Sequence, residues 1–413
     1  MTNKFDKKID VMAAFSPSAP IDKKALFAGR IGQITTILNV VMQRGQHAII
    51  YGERGVGKTS LANVIHDFIV GRGRAIKVAK LNCDAEITFA KLWKSVFKRL
   101  PTVQVQGTVG FRSGELQSCL TFDSKITDQS GPEDIREAFE HFNEPTIVII
   151  DEIDRIQDKA TRAKLADTIK ALSDNSTPVT LILVGVGDSV EYLIKEHKSL
   201  ERALVQIQLP RMSDNELFEI LAKALKSVDM QAGLSVQRRI ARLSQGLPHY
   251  THLLGLHAAQ NAVESERDYL VLEDVQVAVT DAVTHAQQSI QSAYLRATRS
   301  SRDNLFEEVL LACALADRDD LGYFSAGDVR EPMCTVMKRP IRIAQFARHL
   351  NCFCDPERGP VLQKIGEARR QKFRFINPML EPFVIMSGIS QGKISPEVPE
   401  ETSESASIEP API

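Results

Sequence analysis

The sequence predicts an α/β protein with a parallel sheet covered by helices on both faces, followed by a small all-helical region and then a group of helices with a hairpin. Three observations lead there. Short apolar runs alternate with stretches of helical spacing through the first half of the chain. A glycine-rich string, Tyr51 to Ser60, sits where the first of these runs gives way to a helix. Beyond Leu209-Pro210 the strand-like runs stop.

The chain has 413 residues, too many for one ordinary core, so two or three domains are expected. Its net charge of -1 favours neither nucleic acid nor membrane as a partner, and charge has to be counted region by region. No run of about 18 apolar residues is present, which excludes an ordinary membrane-spanning helix. The start carries no secretory signal pattern, so a cytoplasmic location is expected. The six cysteines are scattered, and Cys352-Phe353-Cys354 has too short a spacing for a zinc pair.

Residues 1–25 are polar, with Pro17 and Pro20, and read as a loose arm. Residues 26–210 form the α/β core. Gly32 to Gln43 has apolar residues at helical spacing, His47 to Tyr51 is a short buried strand, and Ser60 to Val70 is again helical. Ala75 to Ala79, Thr146 to Ile150 and Val179 to Val184 read as further strands, with Val205 to Leu209 as the last. Between them, Thr102 to Pro132 is weakly periodic and reads as a long loop or an inserted hairpin. Residues 211–298 form a helical region opened by the capping box Ser213-Asp214-Asn215-Glu216, with helices at 235–244, 248–264 and 272–297. In residues 299–388, helices at Asn304 to Ala316, from Ser325, and at Ile341 to Phe353 precede two short strands around Gly366 to Arg370. Three helices and a hairpin make a winged helix. The acidic tail, 389–413, is rich in Pro, Ser and Glu and is expected to be disordered.

Gly52-Glu53-Arg54-Gly55-Val56-Gly57-Lys58-Thr59 matches the phosphate-binding pattern G-x-x-x-x-G-K-[ST], and it lies between a strand and a helix as that pattern requires. A loop that wraps a triphosphate must bring its backbone N–H groups close, and side chains at the glycines would obstruct them. The helix that follows, with Ser60 in its first turn, adds unpaired N–H groups and the positive end of its dipole. Lys58 is then expected on the β- and γ-phosphates and Thr59 on Mg²⁺. The strand Thr146 to Ile150 ends in Asp151-Glu152, and strand ends of a parallel sheet face the ligand. Asp151 is placed for the magnesium shell, and Glu152 to polarise the attacking water. An Asp-Glu pair favours ATP over GTP. After the strand at Thr180 to Val184, Asp188 is the better candidate for a polar group near the γ-phosphate, with Ser189 as its alternative. Arg202, ahead of the last strand, can reach the γ-phosphate of a neighbouring subunit.

These pieces together resemble an AAA+ ATPase, in the clade of origin-recognition and replication-licensing ATPases and the related STAND signalling ATPases, over about residues 26–285. The resemblance implies a P-loop NTPase core and a helical lid. It makes Leu26-Phe27-Ala28-Gly29-Arg30 the box over the adenine, with Phe27 and Arg30 as nucleotide contacts. It makes Gly185-Val186-Gly187-Asp188 the sensor 1 turn and Arg202 the arginine finger for self-association. Gly246-Leu247-Pro248-His249 becomes the lid turn, with Pro248 near the base and His249 at the sensor 2 position, where the family usually has arginine. A neutral imidazole would make a weaker, pH-dependent contact there.

From Lys338 to Arg374 ten basic residues face three acidic ones, about +7 in a chain of net -1. Arg339, Arg342, Arg348, Arg369, Arg370 and Lys372 are the candidates for contact with double-stranded DNA. Two functions follow. One is a slow, regulatory ATPase whose nucleotide state controls assembly on DNA through the winged helix. The other is a STAND-like or defence-system switch that acts on a protein effector without binding DNA.

Overall fold

The computed structural model describes residues 4–17, 19–21, 27–70, 76–100, 102–106, 116–120, 122–187, 198–300, 304–367 and 370–395. Five parallel strands form the central sheet: β1 (His47–Tyr51), β2 (Lys77–Asn82), β5 (Thr146–Asp151), β6 (Val179–Gly185) and β7 (Leu204–Gln208), in the spatial order β2-β5-β6-β1-β7. Strands β3 (Thr102–Gln106) and β4 (Leu116–Leu120) pair antiparallel as a separate hairpin between β2 and β5 in the chain.

Strands β5 and β6 are buried along their whole length, which accounts for their continuous apolar sequence. Alternate residues divide between the two faces. Ile49, Val148, Ile150, Leu181 and Leu183 join one cluster with Trp93 and Phe97 of α4 (Phe89–Lys98), Phe139 of α5 (Pro132–Glu140) and Leu165 of α6 (Lys159–Asp174). Ala48, Ile50, Ile147, Ile149 and Val184 join the other, with Ile37 of α2 (Ile31–Met42) and Leu61 of α3 (Lys58–Val70). The second cluster does not end at the sheet. It runs on through Leu221, Ile240 and Leu254 to Leu310, Phe346 and Phe383, so apolar packing is continuous from the central sheet to the last helix.

After β7 come the helices Asp214–Lys226, Leu234–Ser244, Pro248–Glu264, Leu272–Thr284 and Gln288–Thr298. The capping box at Ser213 is formed, with the Ser213 hydroxyl accepting from Glu216 N while Glu216 accepts from Ser213 N. The stretch expected as one helix over 272–297 is two, broken at His285 to Gln287. The remainder comprises helices Phe306–Leu315, Ala326–Met337, Ile343–Cys352 and Leu380–Ser390, with an antiparallel sheet of strands Phe324–Ser325, Lys372–Phe375 and Leu362–Ile365 in that order.

Two sequence expectations need correction. The first residues are not merely a loose arm. Lys4–Ala14 form α1, whose Val11 and Ala14, together with Phe15, are buried in the core. Phe15 is 2% exposed and fills the space over Gly255, where an added Cβ would overlap its ring. Nor does irregular chain begin at residue 389. Helix Leu380–Ser390 is buried from Leu380 through Ile389, and Lys393 beyond it is paired with Glu308 at 2.7 Å and with Glu307. Among the described residues no helix is long and apolar enough to cross a membrane.

Candidate nucleotide site

The loop from Gly52 to Gly57 joins β1 to α3 at the carboxyl end of the sheet, where β6 ends beside it and β5 one strand farther on. Its glycines are needed sterically. A Cβ on Gly52 would overlap the carbonyl oxygen of Leu209, and Gly55 and Gly57 hold φ of 90° and 95°, which side chains resist. Lys58 opens α3, and its ammonium donates back to the carbonyls of Gly52 at 3.0 Å and Glu53 at 2.7 Å. Burial outweighs the nearby carboxylates of Asp154, Asp151 and Glu53 and pulls Lys58 down to about 8. Thr59 and Ser60 follow, half-buried; the Ser60 hydroxyl accepts from Ile21 N at 3.1 Å.

Asp151 ends β5 and is 2% exposed. One of its oxygens, Oδ1, accepts from Glu152 N at 2.9 Å. The other, Oδ2, has no hydrogen-bond partner, although Lys80 Nζ lies 3.4 Å away and bonds Asn63 Oδ1. A buried carboxylate oxygen with spare acceptor capacity, at the same end of the sheet as the hydroxyl of Thr59 and two strands from β1, fits a hard divalent cation such as Mg²⁺. Glu152 adopts a left-handed backbone with φ of 58°, which turns it out of the strand line, and its side chain pairs with Arg155 at 3.1 Å.

Phe27 and Arg30 are both buried. Arg30 is 3% exposed, and its guanidinium donates to Pro210 O at 2.6 Å and Val56 O at 3.3 Å. Its backbone N–H bonds Glu216, while Lys223 donates to Phe27 O at 2.6 Å. Arg30 therefore ties the Gly52–Gly57 loop to helix Asp214–Lys226 rather than turning its charge outward. Pro248 lies against the same loop, its Cγ at van der Waals distance from where a Cβ on Gly57 would be. His249 is tied up by the amino-terminal segment, with Nδ1 2.6 Å from Pro17 O. Burial lowers its pKa, so the ring is neutral, and a carbonyl partner requires Nδ1 to carry the hydrogen. The other nitrogen is then an acceptor, which cannot donate to a phosphate oxygen.

Arg202 is exposed at the end of the short turn Lys198–Arg202 that leads into β7. Asp188, its alternative Ser189, and Arg369 lie outside the described residues. Of the basic candidates, Arg339, Arg342, Arg348 and Arg370 are exposed, with Arg342 and Arg348 on or at the start of helix Ile343–Cys352. Lys372 is paired with Asp319 at 2.8 Å, and Arg374 lies over the Tyr323 ring and bonds Gln363. Part of the positive charge counted in the sequence is thus used within the fold.

Sequence reading missed the groups outside the loop that hold it. Arg211 donates from Nε to Glu53 Oε2 at 2.6 Å, and from Nη1 and Nη2 to Glu381 at 2.7 and 2.9 Å. Arg318 pairs with the same Glu381. Only Arg211 carried a signal, its place directly after the strand-ending Leu209-Pro210.

Residues 26–184 match the family described as the AAA ATPase domain. No curated protein sequence matches the chain significantly. Similar solved structures include ORC2 of Aeropyrum pernix in ADPNP–ADP complexes, at 16% identity and a TM-score of 0.48 over 90% of this chain and 98% of that one. ORC1 of Aeropyrum pernix in complex with DNA has 14% identity and a TM-score of 0.48, over 92% and 96%. The Walker-type ATPase of Pyrococcus abyssi has 15% identity and a TM-score of 0.49, over 89% and 98%. The segment that carries the phosphate loop and Asp151, residues 26–184, is similar to an AAA ATPase domain.

Proposed function

We propose that the chain binds ATP with Mg²⁺ and hydrolyses it slowly, using nucleotide state to control its assembly on double-stranded DNA. The observation that carries this reading is the pairing of a glycine-shaped loop and Lys58 with a buried, incompletely partnered Asp151 at the end of β5, two strands from β1 in the sheet. Lys58 exchanges its two carbonyl partners for β- and γ-phosphate oxygens. The N–H groups of the loop and of the first turn of α3 bind the remaining phosphate charge. Thr59 and Asp151 would hold Mg²⁺, which would offset the charge that builds on the phosphates. Glu152 orients and polarises the water, and Asp188 is the sequence's candidate for a second polar group toward the γ-phosphate. Arg202, exposed on its turn, completes the site of a neighbouring copy. Phe27 and Pro248 shape the base pocket, while Arg30 keeps the loop in place. With His249 neutral and bonded to Pro17, the γ-phosphate lacks a strong cation from the lid, in keeping with slow, regulatory turnover.

In this reading residues 26–210 are the nucleotide core, 211–298 the lid and 299–388 a winged helix. The exposed Arg339, Arg342, Arg348 and Arg370 meet the DNA backbone and groove edge. Calorimetry with ATP and Mg²⁺ tests the nucleotide half; no heat of association with folded protein rejects it. Duplex affinity measured against salt tests the DNA half, since several phosphate contacts demand a steep decline. Nucleotide binding without duplex binding at low salt leaves the protein-effector switch as the function.

A further inference from the structure

The side chain of Glu53, inside the phosphate loop, is engaged by residues far along the chain. Arg211 holds its carboxylate at 2.6 Å, and Gly322, with φ of 81°, passes so close that a Cβ there would overlap Glu53 Oε1. Arg211 also grips Glu381 through two bonds, and Arg318 pairs with Glu381 while donating to Ala314 O at 2.7 Å. Side-chain exposures of 10% for Glu53, 16% for Arg211, 13% for Arg318 and 2% for Glu381 make this a buried set rather than a solvated one. Two residues before Glu381, Met379 presses its sulfur against the loop, 2.9 Å from where a Cβ on Gly55 would sit. Its carbonyl accepts from Tyr250 of the lid at 2.6 Å.

We propose that Gly322 and the Met379–Glu381 segment form a latch on the phosphate loop, so that triphosphate binding and docking of the chain beyond Phe306 oppose one another. This rests on the nucleotide reading above. To take a triphosphate, Lys58 must leave the carbonyls of Gly52 and Glu53, and the loop must turn its N–H groups onto the anion. Glu53 cannot follow while its carboxylate is fixed by Arg211 and backed by Gly322. The four charges balance, two cations against two anions. Displacing one therefore leaves a buried charge unmatched and favours release of the whole set over a partial shift. Because such coupling is reciprocal, whatever weakens docking must tighten triphosphate binding by the same factor. A continuous apolar core joins the sheet to Phe383 of the last helix.

The experiment compares wild type, Glu381→Gln and Gly322→Ala by titration with a fluorescent, non-hydrolysable ATP analogue, and follows hydrogen exchange in wild type with and without the analogue. Gly322→Ala pushes on Glu53 without altering a charge, so it serves should Glu381→Gln fail to fold. The expected result is about fivefold or greater tightening in the variants. Exchange over 306–315, 326–337 and 380–390 in wild type should accelerate when the analogue binds. Affinity unchanged or weakened in folded variants, or exchange indifferent to the analogue, overturns the latch while leaving ATP binding intact. A wild type that binds no adenine nucleotide overturns both readings.

Discussion

Lys58 provides the sharpest test of the nucleotide site. Burial pulls its pKa to about 8 in the free protein, against an ordinary value of 10.5. A triphosphate binds the protonated form, so affinity should fall by one power of ten per pH unit once the pH passes 8. Between about pH 7 and about pH 9.5 the protonated fraction drops about 30-fold, equivalent to about 2 kcal/mol of binding free energy. A lysine at its ordinary value would stay charged over that range and give a nearly flat profile. The measurement is the dissociation constant for ATP and Mg²⁺ in Glu152→Gln, chosen so that nucleotide is not consumed. Stability of the nucleotide-free protein should move the other way. The unfolded chain keeps the proton until about pH 10.5 while the native state releases it near 8, so the unfolded state binds more protons between these values. The stabilising contribution is present above the unfolded value and is lost as pH falls through 8. Opposite pH trends for affinity and stability would assign both to this one ammonium. A dissociation constant constant from pH 7 to pH 9.5 would refute the argument.

Other substitutions address the remaining roles. Lys58→Ala should abolish nucleotide binding, whereas Glu152→Gln should retain it and lose at least about a hundredfold in turnover, read by phosphate release; equal turnover would remove Glu152 from the chemistry. Phe15→Ala empties the buried site over Gly255 and should cost about 3 to 5 kcal/mol, measured by urea unfolding; a loss below about 1 kcal/mol would return the amino-terminal segment to a loose arm. Arg342→Ala and Arg348→Ala should each reduce the salt slope of duplex binding by about one without affecting ATP affinity. Unchanged slopes would place the DNA contact elsewhere or exclude it.

The central sheet and phosphate loop were legible because their signals are local. Apolar runs of strand length, a fixed glycine spacing and a capping serine with Glu216 three residues on are each determined within one element. The last helix lacked such a signal. From Leu380 to Ile389 it is buried on every side, so its sequence has no polar face and hence no period to read. In α1 the buried positions are only Val11 and Ala14, with Phe15 just beyond, while Phe5, Ile9 and Met12 are exposed. That is too short an apolar stripe to stand out from its charged neighbours.

The clamp on the loop was hidden for a different reason. Arg211 lies 158 residues from Glu53 and 170 from Glu381, and no spacing rule links them. Its presence alters what the loop motif implies. Read alone, the motif describes a site whose affinity is set by Lys58, Thr59 and the backbone N–H groups. In the fold, Glu53 occupies a variable position of the pattern yet is held by Arg211, which also grips Glu381 of the last helix, and is backed by Gly322. A residue that the motif leaves free is thus the one best placed to make nucleotide binding depend on the rest of the chain. Two loops with the same glycines, lysine and threonine can then differ in affinity by the full coupling free energy to a distant domain.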